Sequence, residues 1–596
     1  GGVKLYSANQ GIDNLGWNND GLALRIQPNW TAGNIPDKLN YNGRDYDLEI
    51  NQNGEIVVKG NPTLSGIGTI NGVQVQVNNG KIQMYDNKPI PLKIFAKIKY
   101  NANQIFRDVV VDYFSGIINT PVWQNKISDE IAQIIARVPN NNQNNPPFVW
   151  GPPATGKTTY LAERIIEYVQ RGKNVIALTP TNKSADVLIE RILSINNNAN
   201  AYRFPNTRSN NPNVQQKVLT RSNYLPKPPY AIITTIHRFI FDKIGNQELK
   251  SLNWDVVIID EASMVELPFM FYVIHSYIKR RNTELIIAGD PEQLTPVGKT
   301  PSEKNIKGYS TENIYTVLDL TFDNRNVKNR FTTNNTQTKK LYYSHSINNQ
   351  NLGVLILTEQ YRSVQEIGLV YSKYRYGGIL EHKRGPSNTT KTINFYNTQI
   401  TISPITVIEF SINSSSKIPT SSQDIGKLEY SSYHLFSAVL AVELAKELEN
   451  QLGNYNIGII SPYGAQVKIM QQLAGPYGLS LKRTTVDTVH GFQGDERDII
   501  ILVMNPSSQN PTPYSHFNNH RIVNVGISRA RDFLIILKPA SITNGEIDSA
   551  LRNAHNYNRI NSISNWNHIV QQINNKIEIF NHLEVNLYSQ SLLSSM

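Results

Sequence analysis

The run Gly151-Pro152-Pro153-Ala154-Thr155-Gly156-Lys157-Thr158-Thr159 carries the clearest chemistry in this chain, because Gly151 to Thr158 fits Gly-x-x-x-x-Gly-Lys-Ser/Thr without a gap. A chain of phosphates is held by several backbone N–H groups converging at the start of a helix, and glycines let the backbone come close. Lys157 suits the β and γ phosphates as a point charge, and the Thr158 hydroxyl suits Mg²⁺. Further along, Val256-Val257-Ile258-Ile259-Asp260-Glu261 ends an apolar run with two carboxylates. Paired acids can divide the work there, Asp260 entering the metal shell and Glu261 orienting and deprotonating water. A chance glycine-rich turn would explain the first cluster and a helix N-cap the second. Together they indicate hydrolysis of a nucleoside triphosphate, with ATP and Mg²⁺ as the expected cofactors.

Another apolar run ends in Gly289-Asp290-Pro291-Glu292-Gln293-Leu294-Thr295-Pro296, a turn that resembles motif III of superfamily 1 helicases. The other motifs of that superfamily follow in order. Gln124 stands in a position resembling the adenine-reading Q motif, Leu178-Thr179-Pro180-Thr181-Asn182-Lys183 resembles motif Ia, and Thr234-Thr235-Ile236-His237 lies near motif Ib. Glu359-Gln360-Tyr361-Arg362 is like motif IV, and Ser461-Pro462-Tyr463-Gly464-Ala465-Gln466 comes next. Val486 to Glu496 is like motif V and Asn524 to Arg531 like motif VI. The Glu-Gln-Tyr-Arg run, the Ser-Pro-Tyr turn and the Gln493-Gly494-Asp495-Glu496 core are similar to the Upf-like group, subclass B.

That resemblance implies an α/β protein with two RecA-like parallel-sheet domains in tandem, an accessory β-barrel, and 5′→3′ movement on single strands with unwinding of duplex DNA or RNA. It implies that Arg362 and Arg529 act as arginine fingers, cations supplied from the second domain that make hydrolysis depend on closure. By the same resemblance Gln293 senses the γ-phosphate or positions water, Tyr361 stacks on the base and Glu496 binds the ribose or couples it to strand contacts. Single-strand contacts fall to Pro180, Thr181, Asn182, His237, Pro462, Tyr463, Thr488 and His490, since a sequence-neutral groove reads phosphate and π-face. Two departures stand out: Ala154 replaces a usual Gly, and Thr488-Val489-His490 forms an extra-looking stretch before Gly491. The competing readings are a translocase that remodels nucleoprotein complexes without separating strands, and a non-motor ATP-gated clamp on nucleic acid.

These side chains need scaffolding, and the sequence supplies it in two textures. Residues 1–118 alternate Gly/Asn turns with short β-rich runs (Tyr46–Ile50, Gly54–Val58, Val73–Val77, Leu92–Ala96, Val109–Tyr113), which predicts an antiparallel, barrel-like N-terminal domain. From Pro121 onward, apolar runs alternate with helical patterns: Phe148–Trp150, Val175–Thr179, Val256–Asp260, Leu285–Asp290, Val354–Leu357, Ile457–Ser461, Ile499–Met504 and Phe533–Leu537. Such runs predict parallel sheets covered on both faces. The spacing divides them into a first domain over 119–345, a second over 346–541 and a helical tail over 542–596 with a helix near Ile569–Ile579. Gly385–Gln423 reads as an insertion carrying a strand or two.

The chain has 596 residues, and its 58 Lys and Arg against 47 Asp and Glu leave +11, which favours partners rich in phosphate. It has no Cys, which excludes disulfides, thiolate metal sites and Cys nucleophiles. No His cluster suggests another metal, and Lys279-Arg280-Arg281 reads as a solvated helix end. The N-terminus opens Gly1-Gly2 without Met, as a processed end would. With neither a long apolar run nor a signal-like start, no membrane partner is expected, and the location expected is intracellular, cytoplasmic or nucleoid-associated.

Overall fold

The computed structural model describes residues 38–50, 56–70, 73–84, 123–296, 312–322, 340–387, 389–410, 425–428, 431–475, 478–480, 482–505, 518–539, 545–555, 560–563, 569 and 572–573. The chain divides into two compact units, Gly1–Asn119 and Thr120–Met596.

In the first unit, strands β1 (Lys38–Tyr41), β2 (Arg44–Ile50), β3 (Ile56–Val58), β4 (Gly66–Ile70), β5 (Val73–Asn78) and β6 (Lys81–Met84) pair in the order β1-β2-β3-β6-β5-β4 and close into a barrel. Asn42-Gly43 and Asn79-Gly80 make the tight hairpins, all four residues at positive φ, which matches the right-handed twist of the flanking strands. Leu39, Leu48, Val58, Ile70, Val75, Val77 and Ile82 are buried. The expected runs Leu92–Ala96 and Val109–Tyr113 lie outside the described residues.

The second unit is built on two large sheets, each with its helices forming a lobe. The first runs, in space, β13 (Lys340–Ile347), β14 (Gln350–Leu357), β7 (Phe148–Trp150), β12 (Glu284–Gly289), β11 (Val256–Ile259), β8 (Val175–Thr179), β10 (Ala231–Thr235) and β9 (Ala201–Arg203). All its pairings are parallel except β13–β14. The second sheet is wholly parallel, in the order β19 (Thr484–Thr488), β18 (Ile457–Ser461), β20 (Arg497–Val503), β21 (Ala530–Pro539), β17 (Ile405–Phe410), β22 (Ile560–Ile563). Strands such as β8 are buried along their whole length, as covered parallel strands must be. Helix α1 (Trp123–Ala136) precedes β7. Helix α2 (Lys157–Gln170) and α3 (Asn182–Ile195) then turn Leu161, Ala162, Ile165, Leu188, Ile189 and Ile192 onto the first sheet, one apolar face at helical spacing. In the second lobe α4 (Gln365–Arg375) precedes the hairpin β15 (Lys391–Phe395)–β16 (Thr398–Ile402), and α5 (Leu435–Gln451), α6 (Gly464–Ala474), α7 (His520–Ile527) and α8 (Glu546–His555) follow.

Three sequence expectations are corrected by these pairings. A boundary at residue 345 would cut between β13 and β14, which are hydrogen-bonded to each other within the first sheet, so Val354–Leu357 belongs to the first lobe. The stretch Gly385–Gln423 is not purely an insertion: the β15–β16 hairpin is added, but β17 sits inside the second sheet. The tail is not a separate helical segment either, because β22 extends the second sheet and α8 packs on α4. Most of the helix expected near Ile569–Ile579 lies outside the described residues, though Ile569 and Ile573 are buried in the second core.

Candidate active site

The phosphate loop leaves β7 and enters α2. Ala154 at φ +64° and Gly156 at φ +79° turn the backbone back on itself before the helix begins at Lys157. That conformation costs a residue with a Cβ roughly 1–2 kcal/mol, which accounts for the Gly usual at the place of Ala154. Thr155 Oγ1 donates to Pro152 O at 2.8 Å, bracing the loop, and the Gly151 N–H donates to Gly289 O at 2.9 Å. A Cβ on Gly151 would lie 2.5 Å from Lys157 Cβ, so the bare backbone there makes room for the lysine stem.

Lys157 is buried, and its ammonium is bound to Asp260 Oδ1 and, at 2.9 Å, to Glu261 Oε1. Burial alone would lower its pKa, but the two carboxylates outweigh burial and hold it above the usual lysine value. Asp260 goes up because burial dominates its attraction to Lys157. Glu261 also feels burial, yet Lys157, then Arg529 and the Gln493 amide, hold it below the usual carboxylate range. The two acids that end β11 are thus electrostatically unequal, with Glu261 the better sustained anion. Glu261 itself sits at φ +50°, in the left-handed region, and its carboxylate still converges with that of Asp260 on the Lys157 ammonium.

The opposite wall comes from the second lobe and the link into it. The Tyr361 N–H donates to Ala154 O at 3.0 Å, tying the link to the phosphate loop. The Tyr361 ring is 54% exposed, and its hydroxyl donates to Glu359 Oε2 at 2.6 Å. Arg362 Nε is bound to Glu496, and its Nη1 donates to Ser528 O at 2.9 Å. Arg529 donates through Nε to Val525 O at 3.1 Å and through Nη2 to Ser528 Oγ at 3.1 Å. Burial and the neighbouring Arg362 push the Arg529 guanidinium down to about 9, so it keeps its charge at neutral pH. Lys157, Asp260, Glu261, Gln293, Arg362 and Arg529 all line one cavity of about 320 Å³, together with Gly151 to Thr158, Tyr361 and Glu496.

The donor set fits a nucleoside triphosphate with Mg²⁺. One hydroxyl (Thr158) and one buried carboxylate (Asp260) are hard oxygen ligands that leave room for phosphate oxygens and water, as Mg²⁺ prefers. Among the described residues no group of three or more His, Asp or Glu forms a dedicated metal cage.

Residues 135–299 and 338–540 each match a family profile described as an AAA domain. The chain is 24% identical over 427 residues to the helicase mov-10-B.1 of Danio rerio, a match covering 66% of this chain and 39% of that protein. It is 23% identical to the DNA polymerase alpha-associated DNA helicase A of Saccharomyces cerevisiae (70% and 65% covered), and 27% identical to helicase sen1 of Schizosaccharomyces pombe (48% and 15% covered). Together these matches support an Upf-like superfamily 1 helicase. The chain spans less than two thirds of the length of each of these relatives.

Not every residue singled out in the sequence lies at the cavity. Thr159 turns aside to accept from Arg191 Nε at 2.9 Å and does not line it. Gln124 lies in α1, its side chain outside what the structure describes. The eight residues expected at the strand all follow, or end, strands at their carboxyl ends, where parallel sheets bind ligands. Thr181 and Asn182 are exposed and Pro180, His237, Thr488 and His490 half-buried. Asn182 Oδ1 accepts from Arg203 at 2.9 Å, the His237 ring packs 4.3 Å from Phe269, and Thr488 Oγ1 accepts from the Gly491 N–H at 3.0 Å. Pro462 and Tyr463 are corrected: both are buried, so the Tyr463 ring is not offered to a base. Thr488-Val489-His490 is the start of a turn in which the Val489 N–H returns to Ser461 O at 3.0 Å.

Sequence reasoning gave no role to Lys183 or Gln493, which also line the cavity. Lys183 Nζ pairs with Asp495 at 2.9 Å and Gln493 Nε2 donates to Gln293 Oε1 at 3.3 Å, each bond crossing between lobes. Both lay inside quoted motifs, so the signal was present, but the facing partner was not.

Proposed function

We propose that this chain is an ATP-dependent helicase that moves along single-stranded nucleic acid, 5′→3′ by its family resemblance, and separates duplexes. The observation that carries the reading is the single cavity to which one lobe brings Lys157, Asp260 and Glu261 and the other brings Arg529, with Arg362 at their junction. Phosphate oxygens of ATP compete with the two carboxylates for Lys157, and Glu261, the better sustained anion, takes the proton of the attacking water. Thr158 and Asp260 would hold Mg²⁺, which would supply Lewis-acid neutralisation of phosphate charge. Gln293 orients the water, Tyr361 offers its exposed ring to the base, and Glu496 offers a carboxylate to the ribose. Arg362 and Arg529 stabilise charge that develops on the transferring phosphoryl group, so turnover needs both lobes closed on the nucleotide. The barrel is the accessory domain of the group, and the exposed Thr181 and Asn182 with half-buried Pro180, His237, Thr488 and His490 form the strand groove.

Hydrolysis should fall by at least about 10²-fold in Lys157→Ala and in Glu261→Gln, and single strands should stimulate the wild type. Wild-type turnover in either variant sinks the site assignment. Duplexes of DNA and of RNA with a 5′ or a 3′ overhang then test the motor. Strand-stimulated hydrolysis without unwinding would indicate a remodelling translocase, and strand binding without multiple turnover a clamp.

A further inference from the structure

Buried polar side chains that do not themselves line the cavity cross between the lobes beside Gln293. From the first lobe come Asp290 and Glu292, which end in the turn after β12. From the second come Tyr376, the residue that caps α4, and Asn524 of α7. All four are at most 1% exposed. Tyr376 Oη donates to Asp290 Oδ2 at 2.6 Å and accepts from Asn524 Nδ2 at 2.7 Å. Asn524 Nδ2 also donates to Glu292 O at 3.0 Å, and Arg375 Nη2 is paired with Glu292 Oε2 at 2.5 Å.

The ends of this chain of bonds both reach residues that line the cavity, Gln293 and Arg529. Asp290 Oδ2, which takes the tyrosine hydroxyl, also accepts from Gln293 Nε2 at 2.9 Å, so the two donors share one oxygen. At the other end α7 carries the seat of Arg529, whose Nε donates to Val525 O, the carbonyl next along from Asn524. A shift of α7 relative to β12 stretches the Asn524–Tyr376–Asp290 links together with the direct bonds from Asn524 to Glu292 O and from Arg521 to Pro291 O, and the tyrosine link ends on the carboxylate that also holds Gln293.

We infer that Tyr376 is a positioning residue that relays the placement of α7, against which Arg529 is seated, to Gln293 through Asp290, so that the water is aligned only when the lobes are in register. This rests on the ATPase reading above. A purely structural tyrosine would leave the kinetics of the folded enzyme alone, and the geometry gives it a different signature.

The test is steady-state ATP hydrolysis by the full chain with saturating single strand, for Tyr376→Phe, Asp290→Asn and the double variant. Tyr376→Phe keeps the ring and removes the hydroxyl; kcat should fall roughly tenfold, the effect of one lost bond to a charged group, while KM for ATP stays within about twofold. The double variant should be no worse than the poorer single one, since both break the same link. Multiplying effects in the cycle, or a lowered melting temperature with wild-type kcat, would overturn the inference. If Tyr376→Phe does not fold, Asn524→Ala breaks the relay from the other side and must show the same split between kcat and KM; wild-type kcat there overturns it equally. A wild-type chain that hydrolyses no ATP defeats the ATPase reading and this inference with it, whereas wild-type kcat in the variants defeats the inference alone.

Discussion

Lys157 and Arg529 are both buried cations, yet they are compensated in opposite ways. Lys157 has two carboxylates against it, while the hydrogen bonds of Arg529 go to carbonyls and a hydroxyl, and Arg362 stands beside it. A buried charge short of counter-charge adds little to stability and is poised for an anionic ligand. Arg529→Ala should therefore lower kcat on the order of 10³-fold with little or no fall in melting temperature; a large loss of stability with normal turnover would reassign it as a structural residue. Asp290 offers a second contrast. Burial pushes its carboxyl up to about 7, well above the range of an exposed acid. The folded state then holds a proton that the unfolded chain releases, so this contribution to stability is full below about pH 4 and is lost as pH rises through 7. Asp290→Asn should consequently gain on the wild type as pH goes from about 5 to about 8, measured as the difference in urea midpoints. Parallel curves for the two proteins would refute the raised carboxyl.

At the scale of elements, the phosphate loop stores a strain that one atom can remove. Ala154→Gly relieves a positive φ and should stabilise the chain by about 0.5–1 kcal/mol after the added flexibility of glycine is subtracted, read as a raised melting temperature with hydrolysis retained; a fall would show that the methyl group makes a contact worth more than the strain. What could be read in advance divides along the same line between local and nonlocal causes. Val175–Thr179 is a strand to the residue, because an unbroken apolar run between turn residues is a local property. Val354–Leu357 is just as plainly a strand, but which sheet it joins depends on its pairing with Phe148–Trp150 far back in the chain, and nothing in the run encodes that. Ile405–Phe410 was hidden for another reason: Thr406 and Glu409 interrupt its apolar run inside a Ser/Thr-rich stretch. The site follows suit. Lys157, Asp260 and Glu261 carry their meaning in their neighbours, whereas Tyr376 has no local signature and becomes intelligible only once Asp290 and Asn524 are seen on either side of its hydroxyl.

For the molecule as a whole, the net charge of +11 sets how a polyanion would be held. Binding that neutralises several phosphates releases counterions, so affinity for single strands should fall by at least roughly tenfold between about 50 and about 200 mM salt. A flat response in a fluorescence-anisotropy titration would mean that strand binding does not run through phosphate. The contacts that join the lobes are a separate matter, for they include ions and hydrogen bonds: Lys183 with Asp495, Arg375 with Glu292, Tyr376 with Asp290, Asn524 with the Glu292 carbonyl. A greasy seam would weld shut and turn sticky whenever it was prised apart. One made of such groups can trade each bond for water and take it back, which lets a machine gape and clasp over many cycles without baring surfaces that clump.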